Sequence, residues 1–314
     1  MKAKEIYKLA VEIGIKADPR GQKAIAKILK KEKEKYQKLD KAQKEDYDLE
    51  SLENPYSDTR LLLDNGRDVK KILTGIDMET GEMLLADKLG IDLVVGHHPL
   101  GVSLAKLDDV MKLQSDVLAG YGVPINIAES LLEKRMPEVS RKLSPSNTYQ
   151  AVDAARLLGL SVMCAHTIAD NLVYNFVKNK INHRKPETVG ELLKLLKEIP
   201  EYKEATKQGA GPTIFVGKPD RHCGKIAVTE LTGGTSGSKD IYERMSHFGI
   251  GTIVSMHIDE EYKAEAEKHH INVVVAGHMS SDSLGMNLFL DELQKKNIEI
   301  IPCSGLIRIS RVGK

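Results

Sequence analysis

The sequence predicts an α/β protein of two similar α/β halves with mixed or parallel sheets and a metal site between them, preceded by an N-terminal helical extension. From about residue 69 onward, short apolar stretches alternate with helical patterns, as in parallel βαβ units. Residues 86–98 (ADKLGIDLVVGHH) and 266–278 (AEKHHINVVVAGH) align without a gap, and each leads from a helix end through an apolar strand to histidine. Because ligands bind outside the carboxyl ends of strands in open α/β sheets, two such ends facing each other predict a shared site.

The N-terminal extension is predicted to span residues 1–60. Ile6, Leu9, Ala10 and Ile13 have helical spacing, and a Lys-rich helix is predicted over 22–40. Its lysines are interleaved with acidic residues, which favours a solvated helix face over a nucleic-acid-binding arm. Residues 53–58 (ENPYSD) have the composition of a linker to the main fold.

The two halves are predicted to span residues 61–185 and 186–314. In the first half the pattern predicts strands over 71–76, 93–95 and 161–165, and helices over 83–89, 107–143, 152–158 and 169–179. In the second half it predicts strands over 213–216, 225–229, 253–255 and 273–276, and a last helix over 283–294.

The composition narrows the classes of protein to consider. The chain has 314 residues, 41% of them hydrophobic, so it can bury a sizeable core. With 46 Lys+Arg and 45 Asp+Glu the net charge is +1, which argues against direct nucleic-acid binding and against an anionic membrane surface. Cys164, Cys223 and Cys303 are too few for a disulfide framework and suit a reducing compartment. Since no apolar run resembles a signal peptide or a membrane span, we expect a cytoplasmic protein.

The motif Gly96-His97-His98-Pro99 follows the buried strand predicted over 93–95. Adjacent side chains on an extended chain point to opposite sides, but a turn forced by Pro99 can bring both imidazoles to one cavity, each toward a different metal ion. The alternative is a pair of polar residues that cap the next helix. The position at a strand end favours metal binding.

Asp170 and His166 follow the next strand, over 161–165. An aspartate at a helix start commonly caps the helix, but the two oxygens of a carboxylate can also bridge two cations. For His166 we favour a role in orienting a metal ligand, with direct ligation and core packing as alternatives.

His278 and Asp282 have i,i+4 spacing and share a face if a helix begins near residue 279. Alone they would commonly be a surface pair. With His97, His98 and Asp170 they supply three imidazoles and two carboxylates, a set suited to Zn, Mn or Fe(II) and poor for Ca.

A glycine-rich loop, residues 232–238 (TGGTSGS), follows the strand predicted over 225–229 and is predicted to open a helix. Its backbone N–H groups can bind a substrate anion such as phosphate, although a tight turn without a ligand fits the sequence equally well. The glycine spacing is not that of a P-loop. The candidate substrate-binding residues are Gly233, Gly234, Thr235 and Ser236.

His257 and Glu230 each lie at or just beyond the end of a predicted strand, and both are candidate catalytic acid or base groups. A hydrogen-bonded histidine at the rim is the alternative for His257. Glu230 and Asp77 each follow a predicted strand directly and are weaker candidates than His257 for this role.

These motifs together resemble the NGG-interacting-factor-three-like proteins, whose bacterial members are often labelled GTP cyclohydrolase I type 2. The resemblance covers about residues 60–314 and depends on LVVGHHP after TGID, on AHTxxD at 165–170, and on the late AGHxxxD element at 276–282. It implies a dinuclear metal centre between two α/β halves, commonly in a hexameric ring whose sites face an inner cavity.

Carried over to this sequence, the resemblance implies that Asp170 bridges the two metal ions and that the metal ligands are His97, His98, Asp170, His278 and Asp282. The chain departs from the family at two of these elements. Asp282 stands where family members usually have glutamate, and Ile168 where they usually have asparagine. The segment between His98 and Asp170 is also longer than in compact members, and this insertion adds helices around 110–143 that are candidates for a roof over the cavity. These departures indicate a distinct subgroup with its own substrate.

The function predicted from the sequence is hydrolysis of a small, nucleotide-like or heterocyclic substrate by a water activated between two divalent ions, Zn, Fe or Mn. The cyclohydrolase reaction itself does not follow from these residues. Two other interpretations are a metal-binding scaffold or metallochaperone that stores or delivers metal, and a protein-interaction or regulatory protein without catalysis.

Overall fold

The computed structural model of the chain describes residues 1–313 and has a mixed α/β fold. Two sheets are formed by these residues. Their strands are β1 (Thr59–Leu63), β2 (Lys71–Gly75), β3 (Leu93–Gly96), β4 (Ser161–Ala165), β5 (Thr213–Val216), β6 (Lys225–Val228), β7 (Ile250–Ser255), β8 (Asn272–Val275) and β9 (Glu299–Pro302).

The helices lie between and around these strands. They are α1 (Ala3–Ala17), α2 (Gln22–Lys38), α3 (Lys41–Glu45), α4 (Thr80–Lys88), α5 (Gly101–Ala105), α6 (Lys112–Gly120), α7 (Ile125–Leu143), α8 (Gln150–Leu157), α9 (Thr167–Arg184), α10 (Val189–Lys197), α11 (Pro200–Lys207), α12 (Ile241–His247), α13 (Glu260–Lys268) and α14 (His278–Gln294). Short 3₁₀ helices cover Leu49–Leu52 and Leu107–Met111. Across residues 1–313 no helix is both long and apolar enough to cross a membrane.

Each sheet combines parallel strands with one antiparallel edge strand. The first has the order β1-β4-β3-β2-β9, in which only β1 runs against its neighbour, and the second has the order β5-β8-β7-β6, in which only β5 does. The prediction of two α/β halves with mixed or parallel sheets is confirmed. In both aligned segments a helix leads into a fully buried strand, α4 into β3 and α13 into β8, as the apolar runs predict.

The first N-terminal helix, α1, is part of the first half's core rather than a separate attachment. Ile6 and Ala10 of α1 are fully buried in one apolar cluster with strand residues of the first sheet. The prediction of a linker at 53–58 is wrong, because Tyr56 and Asp58 have no exposed surface and β1 begins directly afterwards at Thr59. Helix α2 has the predicted exposed, charged face, with Ile25 as its one buried residue.

Sheet membership does not follow the predicted boundaries of the halves. Strand β9 lies in residues 186–314 but pairs in parallel with β2 of the first sheet. Conversely, an inserted helix of the first half packs against the second half. Leu113 and Leu118 of α6 lie in one apolar cluster with Val228 and Tyr242. The two halves are therefore interlocked, and α14 packs along α9 between them.

Candidate metal centre

Three strand ends and two helix starts bring the predicted metal-binding residues together. Strands β3 and β4 are adjacent and parallel, with Gly96 opposite Cys164, so His97 and His166 leave the sheet side by side. Asp170 lies in the first turn of α9, and His278 is the first residue of α14, which begins five residues earlier than predicted. Since α14 packs along α9, the carboxylates of both helices face the same space.

Asp282 lies at the centre of this group. Its Oδ1 is 3.5 Å from His97 Nε2, and its Oδ2 is 3.6 Å from both His98 Nε2 and His278 Nε2. Asp170 Oδ1 is also 3.5 Å from His97 Nε2. Two ligand atoms bound to one tetrahedral ion at about 2.1 Å are about 3.4 Å apart, so these separations are those of ligands around a metal.

The imidazoles are oriented from behind by hydrogen bonds at Nδ1. His98 Nδ1 donates to Asp77 Oδ1 at 2.6 Å, and His166 Nδ1 donates to Asp58 Oδ2 at 2.7 Å. His97 Nδ1 donates more weakly to the Ala165 carbonyl at 3.3 Å. In a neutral ring with the proton on Nδ1, the lone pair is on Nε2, which for His97 and His98 faces carboxylate oxygens. A lone pair facing a carboxylate is repulsive unless a cation lies between them.

Buried oxygens support the same conclusion. Asp282 is fully buried, Asp170 is 4% exposed, and both oxygens of Asp282 and Oδ1 of Asp170 lack a hydrogen-bond partner among residues 1–313. An unpaired buried carboxylate is costly, and pairing with a metal ion is one of the few ways to offset that cost. Imidazole and carboxylate donors suit Zn, Mn or Fe(II), so the residues present fit a divalent metal.

Burial and neighbouring charges shift the pKa values of the histidines and of Asp170 in this cluster. Burial lowers the pKa of His97 to about 4 and also lowers that of His278, so both rings are neutral near pH 7. For His166 burial acts in the same direction, but the Asp170 and Asp58 carboxylates outweigh it and raise its pKa to about 9. Burial raises the pKa of Asp170. Metal binding would therefore displace a proton from His166.

Sequence reasoning assigned two roles differently. It favoured His166 as an orienting residue, whereas one nitrogen from each of His97, His98 and His166 lies within 4.8 Å of the others. It gave the bridging position to Asp170, whose oxygens lie 3.5 Å from His97 Nε2 and 3.9 Å from His166 Nδ1, whereas the oxygens of Asp282 lie 3.5 to 3.6 Å from three imidazole nitrogens. Asp58 was missed altogether, because it lies in a segment whose composition suggested a linker.

The cluster opens into a cavity of about 390 Å³ between the two halves. His257 lies at its wall with its ring centre 5.2 Å from that of His278. Leu104 and Leu107 also line it, but none of its described lining residues lies within 108–143, so the helices predicted as a roof do not line this cavity. Other lining residues outside the metal cluster are Met78, Glu79, Glu230, Thr232, Gly234, Thr235 and Met256.

The glycine-rich loop lies only partly in this cavity. Gly234 and Thr235 line it, but Gly233 and Ser236 face the insertion, where Gln114 Nε2 donates to the Gly233 carbonyl at 2.8 Å and Arg135 donates to the Ser236 carbonyl. The loop does not open a helix as predicted, because α12 begins only at Ile241. An anion site at a helix N-terminus therefore has no support here.

Glu230 is a partly buried carboxyl group on the cavity wall, with a left-handed backbone (φ 55°). Burial raises its pKa to about 7, and a backbone hydrogen bond from Gly237 offsets this only in part. A carboxyl group with a pKa near 7 is suited to proton transfer at neutral pH.

We expect Glu230→Gln to change how stability depends on pH. The folded protein holds the Glu230 proton between about pH 4.5 and 7 while the unfolded chain has lost it, so wild-type stability falls as the pH rises through this window. The variant lacks this loss, so from pH 5 to pH 8 its free energy of unfolding should rise by about 2 to 3 kcal/mol relative to that of wild type. Urea unfolding of the metal-free proteins at several pH values measures the difference. Parallel stability curves would show that Glu230 has an ordinary pKa.

Comparison with known proteins agrees with this fold. No protein-family model matches the chain, and no curated protein matches it. Among solved structures, a NIF3 superfamily protein from Sphaerobacter thermophilus is 24% identical with a TM-score of 0.71, and the match covers 80% of this chain and 92% of that one. The chain therefore has the fold of a NIF3 superfamily protein, which confirms the sequence resemblance at the level of the fold.

More distant structures are also similar. Reduced HcgD from Methanocaldococcus jannaschii is 18% identical with a TM-score of 0.45, over 76% of this chain and 84% of that one. TTHA1606 from Thermus thermophilus is 14% identical with a TM-score of 0.48, over 82% of this chain and 92% of that one.

Proposed function

We propose that the chain is a dinuclear metal-dependent hydrolase that acts on a small, nucleotide-like or heterocyclic molecule. The observation that carries the proposal is the fully buried Asp282, whose two oxygens lack hydrogen-bond partners within residues 1–313 and lie 3.5 to 3.6 Å from imidazole nitrogens. Asp282 is then the bridging carboxylate. The resemblance in sequence implies the same five ligands but gives the bridge to Asp170, so the choice of Asp282 rests on the contacts of its two oxygens.

Two metal positions of different character follow from the donor groups. The inner position is formed by His97, Asp170 and Asp282, with His166 adjacent, and all of these residues are buried. The outer position is formed by His98, His278 and Asp282. The His98 and His278 side chains are 26% and 42% exposed, so the outer position faces the cavity and is where a substrate would bind.

Two divalent ions at these positions would supply an activated water and polarise the bond under attack. The chain's own groups would handle protons and binding. Glu230, with a pKa of about 7, can accept or donate a proton at the cavity wall, and His257 is a second candidate beside His278. Thr235 and the backbone at Gly234 line the cavity and are available for polar contacts with the substrate.

Metal content per chain tests the proposal. After reconstitution with Zn, Mn or Fe(II) and removal of free metal, we expect about two ions per wild-type chain and about one in His98→Ala, because the inner donors stay intact. His247→Ala, which removes an exposed histidine outside the cluster, is the control and should keep both ions. Elemental analysis measures all three proteins. Wild type without metal after reconstitution would contradict the hydrolase proposal.

A metal store or delivery protein is the second candidate, because the partly exposed His98 and His278 would also allow exchange of the outer ion. Screening phosphorylated and cyclic compounds for metal-dependent hydrolysis separates the two candidates. Turnover supports the enzyme, whereas rapid transfer of the outer ion to a chelator without any turnover supports storage or delivery. A hexameric ring and a cytoplasmic location are predictions that the resemblance and the composition supply.

A further inference from the structure

We propose that Asp58 is a positioning residue of this metal centre, which it serves by holding His166 in the orientation and tautomer needed to face the cluster of His97 and His98. The inference rests on the proposed dinuclear site. It also assigns a role to residues 54–58, which precede the part of the chain that carries the family resemblance.

The contacts of Asp58 are short and buried. Its side chain has no exposed surface, and Oδ2 accepts hydrogen bonds from His166 Nδ1 at 2.7 Å and from Thr167 Oγ1 at 2.6 Å. Thr167 is the first residue of α9, the helix that carries Asp170. One carboxylate oxygen therefore fixes both the His166 ring and the start of the helix that supplies an inner-position donor.

Asp58 is itself held in place by a buried polar network. Asn54 Nδ2 donates to the carbonyls of Tyr56 and Thr59, at 3.0 and 2.8 Å, which closes the backbone around Asp58. Tyr56 OH donates to Asp18 Oδ2 at 2.8 Å, and the Arg20 guanidinium binds both oxygens of Asp18. The end of α1 and the segment after it thus determine where the Asp58 carboxylate lies.

The hydrogen bond to Nδ1 determines what His166 can do. A carboxylate that accepts from Nδ1–H keeps the proton on that nitrogen, leaves Nε2 as the electron-pair donor and raises the basicity of the ring. Loss of such a partner typically weakens metal binding by about 10- to 100-fold. The competing explanation is that Asp58 only stabilises the start of α9, in which case its removal would lower stability but not metal affinity.

The test compares three variants with wild type, using competition with a chromophoric chelator to measure Zn²⁺ affinity and thermal unfolding of the metal-free proteins to measure stability. Asp58→Ala should weaken the tighter Zn²⁺ site by about 100-fold and Asp58→Asn by about 10-fold, because asparagine can still accept the hydrogen bond from Nδ1 but lacks the charge. Asp18→Asn is the matched control, since it removes a buried carboxylate from the same network without touching His166.

Each outcome is decisive. Wild-type affinity in folded Asp58→Ala, or in Asp58→Asn if the alanine variant does not fold, would overturn the positioning role. An equal loss of affinity in Asp18→Asn would also overturn it, because the effect would then be a general loosening of the network. Wild type that binds no Zn²⁺ would instead overturn the dinuclear site itself, so the two failures are distinguishable.

Discussion

Asp282→Asn should abolish metal binding at both positions while changing the stability of the metal-free protein very little. In the proposed site Asp282 contributes to both metal positions, and the donor group that remains without it, His97, His98 and His166, contains no carboxylate. In the metal-free protein its oxygens lie 3.5 to 3.6 Å from the imidazole nitrogens, beyond good hydrogen-bond length, so the amide should cost about 1 kcal/mol or less. At a free Zn²⁺ concentration 100 times the dissociation constant, one bound ion raises the free energy of unfolding of wild type by about 2.7 kcal/mol. The free energy of unfolding of the variant should not change with Zn²⁺.

Unfolding with and without Zn²⁺, together with metal analysis, measures this difference. Asp291→Asn is a matched control on the same helix, because Asp291 is 5% exposed and accepts from Arg308 and from the Arg311 backbone rather than facing the cluster. That variant should lose stability in the metal-free state and keep its metal. Retention of one tightly bound ion by Asp282→Asn would show that Asp282 does not bridge.

The part of the site that sequence could predict is the part encoded by local patterns. An apolar run that ends in Gly-His marks β3 and β8, and both strands are completely buried as such runs require. The i,i+4 spacing of His278 and Asp282 places both on one face of α14, with Nε2 and Oδ2 3.6 Å apart. Each of these features depends on residues close together in the chain.

Features that depend on distant contacts were missed. Asp58 meets His166 across 108 residues, and nothing around Asp58 distinguishes it from a polar linker residue. Strands β1 and β9 are short edge strands whose pairing partners, β4 and β2, determine their structure more than their own sequences do. The proposed bridging role of Asp282 depends on how α14 packs along α9, which no local pattern reports.

The close packing of those two helices depends on Gly285, and we expect Gly285→Ala to cause the largest loss of stability among single-methyl additions at this interface. A Cβ atom at Gly285 would lie 2.3 Å from the Ala169 carbonyl oxygen and 2.8 Å from its carbonyl carbon. Both are backbone atoms of α9, so no side-chain rotation relieves the overlap and the helices must separate. Overpacking of this kind costs about 1 to 3 kcal/mol, more than the roughly 1 kcal/mol that alanine gains over glycine in a helix.

The same separation should reduce metal binding, because Gly285 lies one turn after Asp282 and Ala169 directly precedes Asp170. Gly81→Ala in α4 is the matched control, since a Cβ there meets no atom within 4 Å among the described residues and should stabilise the protein by up to about 1 kcal/mol. Urea unfolding and Zn²⁺ content are measured for both variants. If Gly285→Ala has wild-type stability and two bound ions, the carboxylates of α9 and α14 can be moved apart without cost. The 3.5 Å separations around His97 would then not define the inner metal position.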